Sequence, residues 1–333
     1  MLDPPLKSVT ILAPCYNEEE SLPAFVERVQ QVLAPLVGIE WTILLVDDGS
    51  SDRTWSVIED LSLRHPALRG LSLSRNFGHQ VALTAGLDHV SSDAVLMLDC
   101  DLQHPPELIP QFIEKWRSGA RIVSAVRSET IQVTWLKKLA SQGFYSLIGR
   151  ISETPITPHV ADFCLLDRVA YSALRRMREQ HRFLRGMIAS LGFRREFVTF
   201  IAPPRQLGVS KYTLSRMIRM ARHALTSFSS APLRLGIIPG IAAMIFGLIY
   251  GSYIVLRYFF LGDLIPGWAS LMVVVLTLGG FQLLGLGVIG EYIGNIYEQS
   301  KSRPLYFLKG EVGASQHSCS GETLESMSVE EKS

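Results

Sequence analysis

The segment Ala94-Val95-Leu96-Met97-Leu98-Asp99-Cys100-Asp101-Leu102-Gln103 sets a short uncharged run directly against two carboxylates and an amide. A run that short, apolar at consecutive positions, reads as a buried strand. Three earlier stretches repeat the arrangement. Val9–Ala13 runs into Pro14-Cys15-Tyr16-Asn17-Glu18, Ile43–Val46 into Asp47-Asp48-Gly49-Ser50-Ser51-Asp52, and Leu71–Leu73 into Ser74-Arg75-Asn76-Phe77-Gly78. A further run, Ile122–Val126, ends on Arg127. Between them Leu22–Leu33, Thr54–Leu63 and Pro106–Trp116 carry helical apolar spacing. Strands alternating with helices over residues 8–200 predict an α/β domain with a mainly parallel sheet. Ligands of such sheets bind beyond the carboxyl ends of the strands, where these polar clusters fall.

Each cluster has a chemical reading and a plainer one. Asp47 and Asp48 are costly to bury after an apolar strand unless they bind something, and a carboxylate there suits a nucleobase or a ribose hydroxyl. Asp52 suits the cap of the following helix. The Pro14–Glu18 loop suits a base and ribose, or a simple capping turn. Arg75 suits a phosphate, or an ion pair with the nearby acids. Asp99 and Asp101, at i and i+2 and followed by the Gln103 amide oxygen, suit a hard divalent cation such as Mg²⁺ or Mn²⁺ completed by phosphate oxygens. His104, ahead of Pro105-Pro106, reads as a turn residue.

The rest of the chain has a different character. Of 333 residues 19% are charged, and the net charge is +1. Mean hydropathy is +0.22. The apolar excess sits in two uncharged blocks, Leu235–Leu256 and Trp268–Ile289. Each is roughly 22 residues, about 33 Å of helix, enough to span a bilayer core. Arg205, Lys211, Arg216, Arg219, Arg222 and Arg234 lead into the first block, and Lys301, Arg303 and Lys309 follow the second. The connector, residues 258–267, carries Asp263 and no Lys or Arg. Such asymmetry predicts a hairpin with both termini cytoplasmic and the connector outside, Arg257 snorkelling to the interface.

Arg216, Arg219 and Arg222 share a helical face in residues 213–231, an interfacial helix. The expected division is a cytoplasmic catalytic domain over 1–212, a juxtamembrane helix over 213–234, a membrane hairpin over 235–296, and a C-terminal segment over 297–333 whose polar tail, 311–333, is disordered. The four cysteines show no metal-ligand spacing and are expected as free thiols. Gly285, Gly287 and Gly290 match a dinucleotide-binding pattern, but inside an apolar block they read as helix-packing glycines.

Taken together, PCYNE (14–18), VDDGSSDRT (46–54), SRNFG (74–78) and DCDLQHPPE (99–107) resemble family 2 of the inverting glycosyltransferases, of GT-A fold. Asp162-Phe163-Cys164-Leu165-Leu166-Asp167-Arg168, His181–Gly186, Gly208–Tyr212, the two apolar blocks and Gly290-Glu291-Tyr292-Ile293-Gly294 resemble its polyprenyl-phosphate branch, which holds bactoprenol glucosyltransferases and dolichol-phosphate mannose synthases. The chain departs from the branch at Ala161, usually Gly, and at Cys164, usually Arg, which removes one charge contact.

The resemblance implies that Pro14, Tyr16, Glu18 and Asp48 line the nucleotide pocket and that Asp99 sits near the ribose or sugar. It implies that Asp101 and Gln103 ligate Mg²⁺ or Mn²⁺, that Arg127 meets the acceptor phosphate, and that Arg205, Ser210 and Lys211 close over phosphates from a loop. For Asp162 a general base, an orienting group and a structural acid stay open. The implied partners are a nucleotide sugar, UDP-glucose first, a polyprenyl phosphate such as undecaprenyl phosphate, and the membrane. No nucleic acid is expected, and a homo-oligomer is allowed. Two rivals remain. A processive polysaccharide synthase would carry a Gln-x-x-Arg-Trp motif, which Gln180-His181-Arg182-Phe183 does not satisfy. A silent scaffold would have no use for intact acidic motifs.

Overall fold

The computed structural model describes residues 7–101, 103–127, 160–180, 182–200, 267–313 and part of 245–260. Its centre is an eight-stranded sheet with the order β7-β5-β6-β4-β1-β2-β3-β8. The strands are β1 (Lys7–Cys15), β2 (Ile39–Asp47), β3 (Leu68–Leu73), β4 (Ala94–Met97), β5 (Ile122–Arg127), β6 (Val160–Asp167), β7 (Arg195–Phe200) and β8 (Leu308–Val312). The helices are α1 (Leu22–Leu33), α2 (Thr54–Arg64), α3 (His79–His89), α4 (Ile109–Arg117), α5 (Arg168–Arg176), α6 (Leu184–Ser190) and α7 (Trp268–Ser300).

β1 pairs in parallel with β2, ending at Cys15 opposite Asp47, and with β4 on its other side. β3 continues the parallel set beside β2. The expected mainly parallel α/β architecture is therefore present. Two features were not legible in the sequence. β6 runs antiparallel between β4 and β5, so its first residues lie at the carboxyl ends of both neighbours. β8 runs antiparallel along β3 and covers that edge. Glu311 and Val312 thus belong to the sheet, and the expected tail begins later than residue 311.

Apolar side chains alternate to both faces of β1 and bury there, as a doubly covered sheet requires. On one face α1 packs Leu22, Phe25, Val26, Val29 and Leu33, spaced along a single helical stripe, and α4 adds Phe112, Ile113 and Trp116. On the other face sit α3, α5 and α6. α3 has no polar stripe to announce it, because Ala82 through Leu87 are all buried. Gly86 permits its close approach, since a Cβ there would lie 2.1 Å from the Leu12 side chain.

α7 is 33 residues long and contains Gly285, Gly287 and Gly290 in its interior, so those glycines form no strand–turn–helix phosphate loop. Leu271, Val275, Phe281, Leu283, Leu286 and Ile293 are exposed along it. Among residues with described side chains no helix presents an apolar window long enough to cross a membrane. A spanning role for α7 rests on its uncharged sequence, Trp268–Ile289.

Candidate active site

The loops after β1, β2 and β3 are stitched together by their own side chains. Asn17, with φ 55, adopts the left-handed conformation that asparagine tolerates. Its Oδ1 accepts from Ser51 N at 2.9 Å and Ser51 Oγ at 3.2 Å. Glu18 N donates to Thr54 Oγ1 at 2.9 Å, and the Glu18 carboxylate accepts from Ser21 Oγ at 2.6 Å. Gly49, at φ 65, touches the next loop so closely that a Cβ would lie 2.2 Å from the Arg75 carbonyl carbon. Only glycine permits that approach.

The acids after β2 hold this arrangement. Asp47 accepts from Ser50 N at 3.0 Å and Ser72 Oγ at 3.1 Å. Asp52 accepts from Thr54 N at 3.0 Å, at the start of α2, and from Glu19 N at 3.4 Å, which agrees with the capping reading. Asp48 is buried, and its carboxylate accepts from Phe77 N at 2.8 Å and Gly78 N at 2.9 Å. Burial raises the Asp48 carboxyl above its ordinary value while the two amides pull it back. These bonds commit Asp48 to shaping the β3–α3 turn, beyond any part in lining a pocket. Arg75 stacks on Phe77, 4.7 Å from the ring centroid, instead of pairing with these acids. Tyr16 is exposed at the rim. The Pro14 carbonyl accepts from the buried Cys100 thiol at 3.3 Å.

A second group gathers around the end of β4. Asp101 is exposed, and its Oδ1 accepts from Gln103 N at 3.0 Å. Glu18 sits across from it. Burial raises the Glu18 carboxyl, Ser21 lowers it, and the charges of Asp101, Asp52 and Asp99 raise it further. His104 packs on Phe163, with ring centroids 5.3 Å apart, and accepts from Asp99 N through Nδ1 at 3.2 Å. It is a buried turn anchor, as expected. His79, at the first position of α3, places Nε2 3.6 Å from Asp99 Oδ1 and 3.8 Å from Asp162 Oδ2.

Asp162 is held by Arg185 of α6 in a two-pronged ion pair at 2.6 and 2.8 Å. Burial raises its carboxyl, but the Arg185 hydrogen bonds and charge outweigh that and leave it below the ordinary value. The ion pair holds the Asp162 carboxylate in place at the start of β6. Sequence reasoning missed His79, which lies just past SRNFG, and gave Arg185 no role although it falls within the His181–Gly186 motif. At the Cys164 departure another guanidinium arrives. Arg195 Nε donates to Ser124 Oγ at 3.1 Å, beside the buried Cys164 thiol, which burial pushes up to about 11. Cys15, Cys100 and Cys164 are free thiols as expected. Arg127 ends β5, opposite Phe200. Arg205, Ser210 and Lys211, the basic helix and most of the first apolar block lie outside the described residues.

The geometry is thus a cluster of acids beyond the carboxyl ends of the parallel strands β1, β2 and β4, where ligands of such sheets bind. Glycosyl transferase family 2 matches over residues 10–175. An uncharacterized glycosyltransferase of Synechocystis sp. is 41% identical over 90% of this chain and 94% of its own. The chain belongs to that family and is a glycosyltransferase. Within it, the chain is 38% identical to the bactoprenol glucosyl transferase of Shigella phage SfV, over 91% of this chain and 98% of that one. Among solved structures, the mannosyltransferase PcManGT from Pyrobaculum calidifontis, in complex with GDP-Man and Mn²⁺, aligns at 16% identity and a TM-score of 0.47, covering 87% of each chain.

Proposed function

We propose that this chain transfers a hexose from a nucleotide sugar to a polyprenyl phosphate at the cytoplasmic face of a membrane, with UDP-glucose as first donor and undecaprenyl phosphate as first acceptor. The observation that carries the reading is the 38% identity to a bactoprenol glucosyl transferase over 91% of the chain.

The chemistry suits the cleft. A phosphate monoester has a second pKa of about 6, so the acceptor is largely dianionic at neutral pH and needs little help from a base. One of its oxygens displaces the nucleoside diphosphate at the anomeric carbon, with inversion. Asp162, pinned by Arg185, fits an orienting role in this reaction. What the reaction needs is positioning and positive charge between two anionic substrates. Arg127, Arg205 and Lys211 would supply it, with Ser210 donating a hydrogen bond beside Lys211.

Asp101 and Gln103 would hold Mg²⁺ or Mn²⁺. The mutual repulsion of Glu18, Asp99 and Asp101 fits a bound cation. Among the described residues no three His, Cys, Asp or Glu side chains form a metal cage, so substrate phosphates would complete the shell. When bound, the ion offsets charge on the departing diphosphate.

The test is transfer of radiolabel from UDP-glucose into organic-extractable lipid by the full chain in detergent, with undecaprenyl phosphate supplied. A polymeric product would instead support a processive synthase, and no product with any nucleotide sugar would support a scaffold. In the same assay Arg205→Ala and Lys211→Ala should each cost about 2–4 kcal/mol of transition-state stabilisation, with Arg219→Ala near parent. Equal behaviour of all three would remove the phosphate-gripping role. For the membrane hairpin, a cysteine introduced at Gly262 should label from outside only.

A further inference from the structure

We infer that His79 is a positioning residue for sugar transfer, holding the carboxylates of Asp99 and Asp162 together across the cleft. The inference rests on the transfer reading above and extends it to a residue outside every motif that carried the family resemblance.

The placement of His79 is fixed from one side. It is the first residue of α3, directly after Gly78, whose φ is 99, and Asp48 holds the amides of Phe77 and Gly78 at 2.8 and 2.9 Å. Its backbone is therefore tied to the β2 loop. On the other side its Nε2 faces two acids from different strands, Asp99 beyond β4 at 3.6 Å and Asp162 near the start of β6 at 3.8 Å. One imidazole thus joins three separate segments of the cleft.

Asp162 already has Arg185, but among the described residues Asp99 has no such guanidinium. His104 Nδ1 lies 3.5 Å from Asp99 Oδ2, yet it uses its lone pair to accept the Asp99 amide proton at 3.2 Å. A ring nitrogen that accepts carries no proton to give. His79 is then the imidazole that can face Asp99 with a proton. The side chain is 41% exposed, so it is not a core histidine, and substrate can reach its surroundings. At 3.6 and 3.8 Å the contacts are longer than hydrogen bonds, as catalytic contacts often are before substrate closes them. Without the imidazole the Asp99 carboxylate would face Asp162 with no cationic or donor group between the two.

The experiment compares His79→Ala, His79→Gln and His79→Lys with the parent full chain in detergent, using UDP-glucose and undecaprenyl phosphate. Turnover, UDP affinity by calorimetry and thermal unfolding are measured for each. His79→Ala should lower kcat about 10- to 100-fold, the scale of a small misplacement of reacting groups. Its UDP affinity should stay within about threefold and its Tm should be unchanged, since His79 acts at the sugar end of the cleft. His79→Lys, which places a proton-bearing nitrogen on the same exposed site, should recover to within about fivefold of parent, and His79→Gln should stay low. The inference is overturned if His79→Ala turns over like parent, if Lys rescues no better than Gln, or if all three variants lose UDP binding and stability together. A parent chain that transfers no sugar at all would fail the functional reading instead.

Discussion

The two halves of the sheet reach one cleft by opposite routes. From β1 to β4 every strand runs toward the site and hands it the next residues of the chain, so Glu18, Asp48 and Asp101 come directly after apolar runs. In the half built from β5, β6 and β7, the site acid Asp162 sits at the beginning of an antiparallel strand. Its partner Arg185 lies on a helix, 23 residues further on. A parallel strand marks its site residues by position, whereas an antiparallel strand delivers them from its other end, where no apolar run precedes them.

That contrast can be tested on each half. The largest effect should come from the parallel side. Asp101→Ala should lower turnover on the order of 10²- to 10³-fold, with Tm near parent because the side chain is exposed. Chelator should abolish parent activity, and Mg²⁺ or Mn²⁺ should restore it. Full activity of Asp101→Ala in chelator would end the metal assignment and leave the parallel half without its chemical role.

The next effect should come from the antiparallel side. Arg185→Ala frees the Asp162 carboxylate and should lower kcat about 10- to 100-fold by misplacement. The same pair gives the sign of the pH dependence. Arg185 keeps the Asp162 carboxyl below its ordinary value, so the parent retains an ionised Asp162 well into acid. Losing Arg185 moves that protonation upward, and the acid limb of kcat should shift to higher pH. An unchanged acid limb would mean that the ionised state of Asp162 is irrelevant to transfer.

The smallest effect should be purely structural. Asp167, at the end of β6, accepts from Trp116 Nε1 at 2.9 Å, from Arg121 at 2.6 Å and from Val169 N at the start of α5. Asp167→Ala should cost about 1–3 kcal/mol of stability, the range for a lost cap and buried acceptor, with activity per folded molecule retained. Burial raises this carboxyl, but its three donors hold it below the ordinary value. Its stabilisation is therefore present above the unfolded-state pKa and fades as pH falls through the lower folded one. Denaturant melts of parent and variant should converge in acid. Parallel melts at every pH would show that ionisation of Asp167 does not matter.

Local order alone determined much of this protein. Short apolar runs cut off by polar loops specified β1 to β4 and the cleft edge, because a parallel sheet buries both faces of each strand and exposes only the residues beyond the strand's end. α1 was legible to its ends, since its buried residues share one stripe and Pro23 can start a helix but not continue one. α3 was not, because a helix buried on most sides has no polar face to betray its period. Tertiary structure alone decided that β6 inserts antiparallel, that β8 returns from beyond α7 to close the edge, and that Asp48 spends its carboxylate on the turn leading to His79. It also decided that Asp99, Asp162, His79 and Arg185 meet. Strand pairing and ion pairs between residues distant in the chain depend on how the segments pack, and no local spacing encodes that.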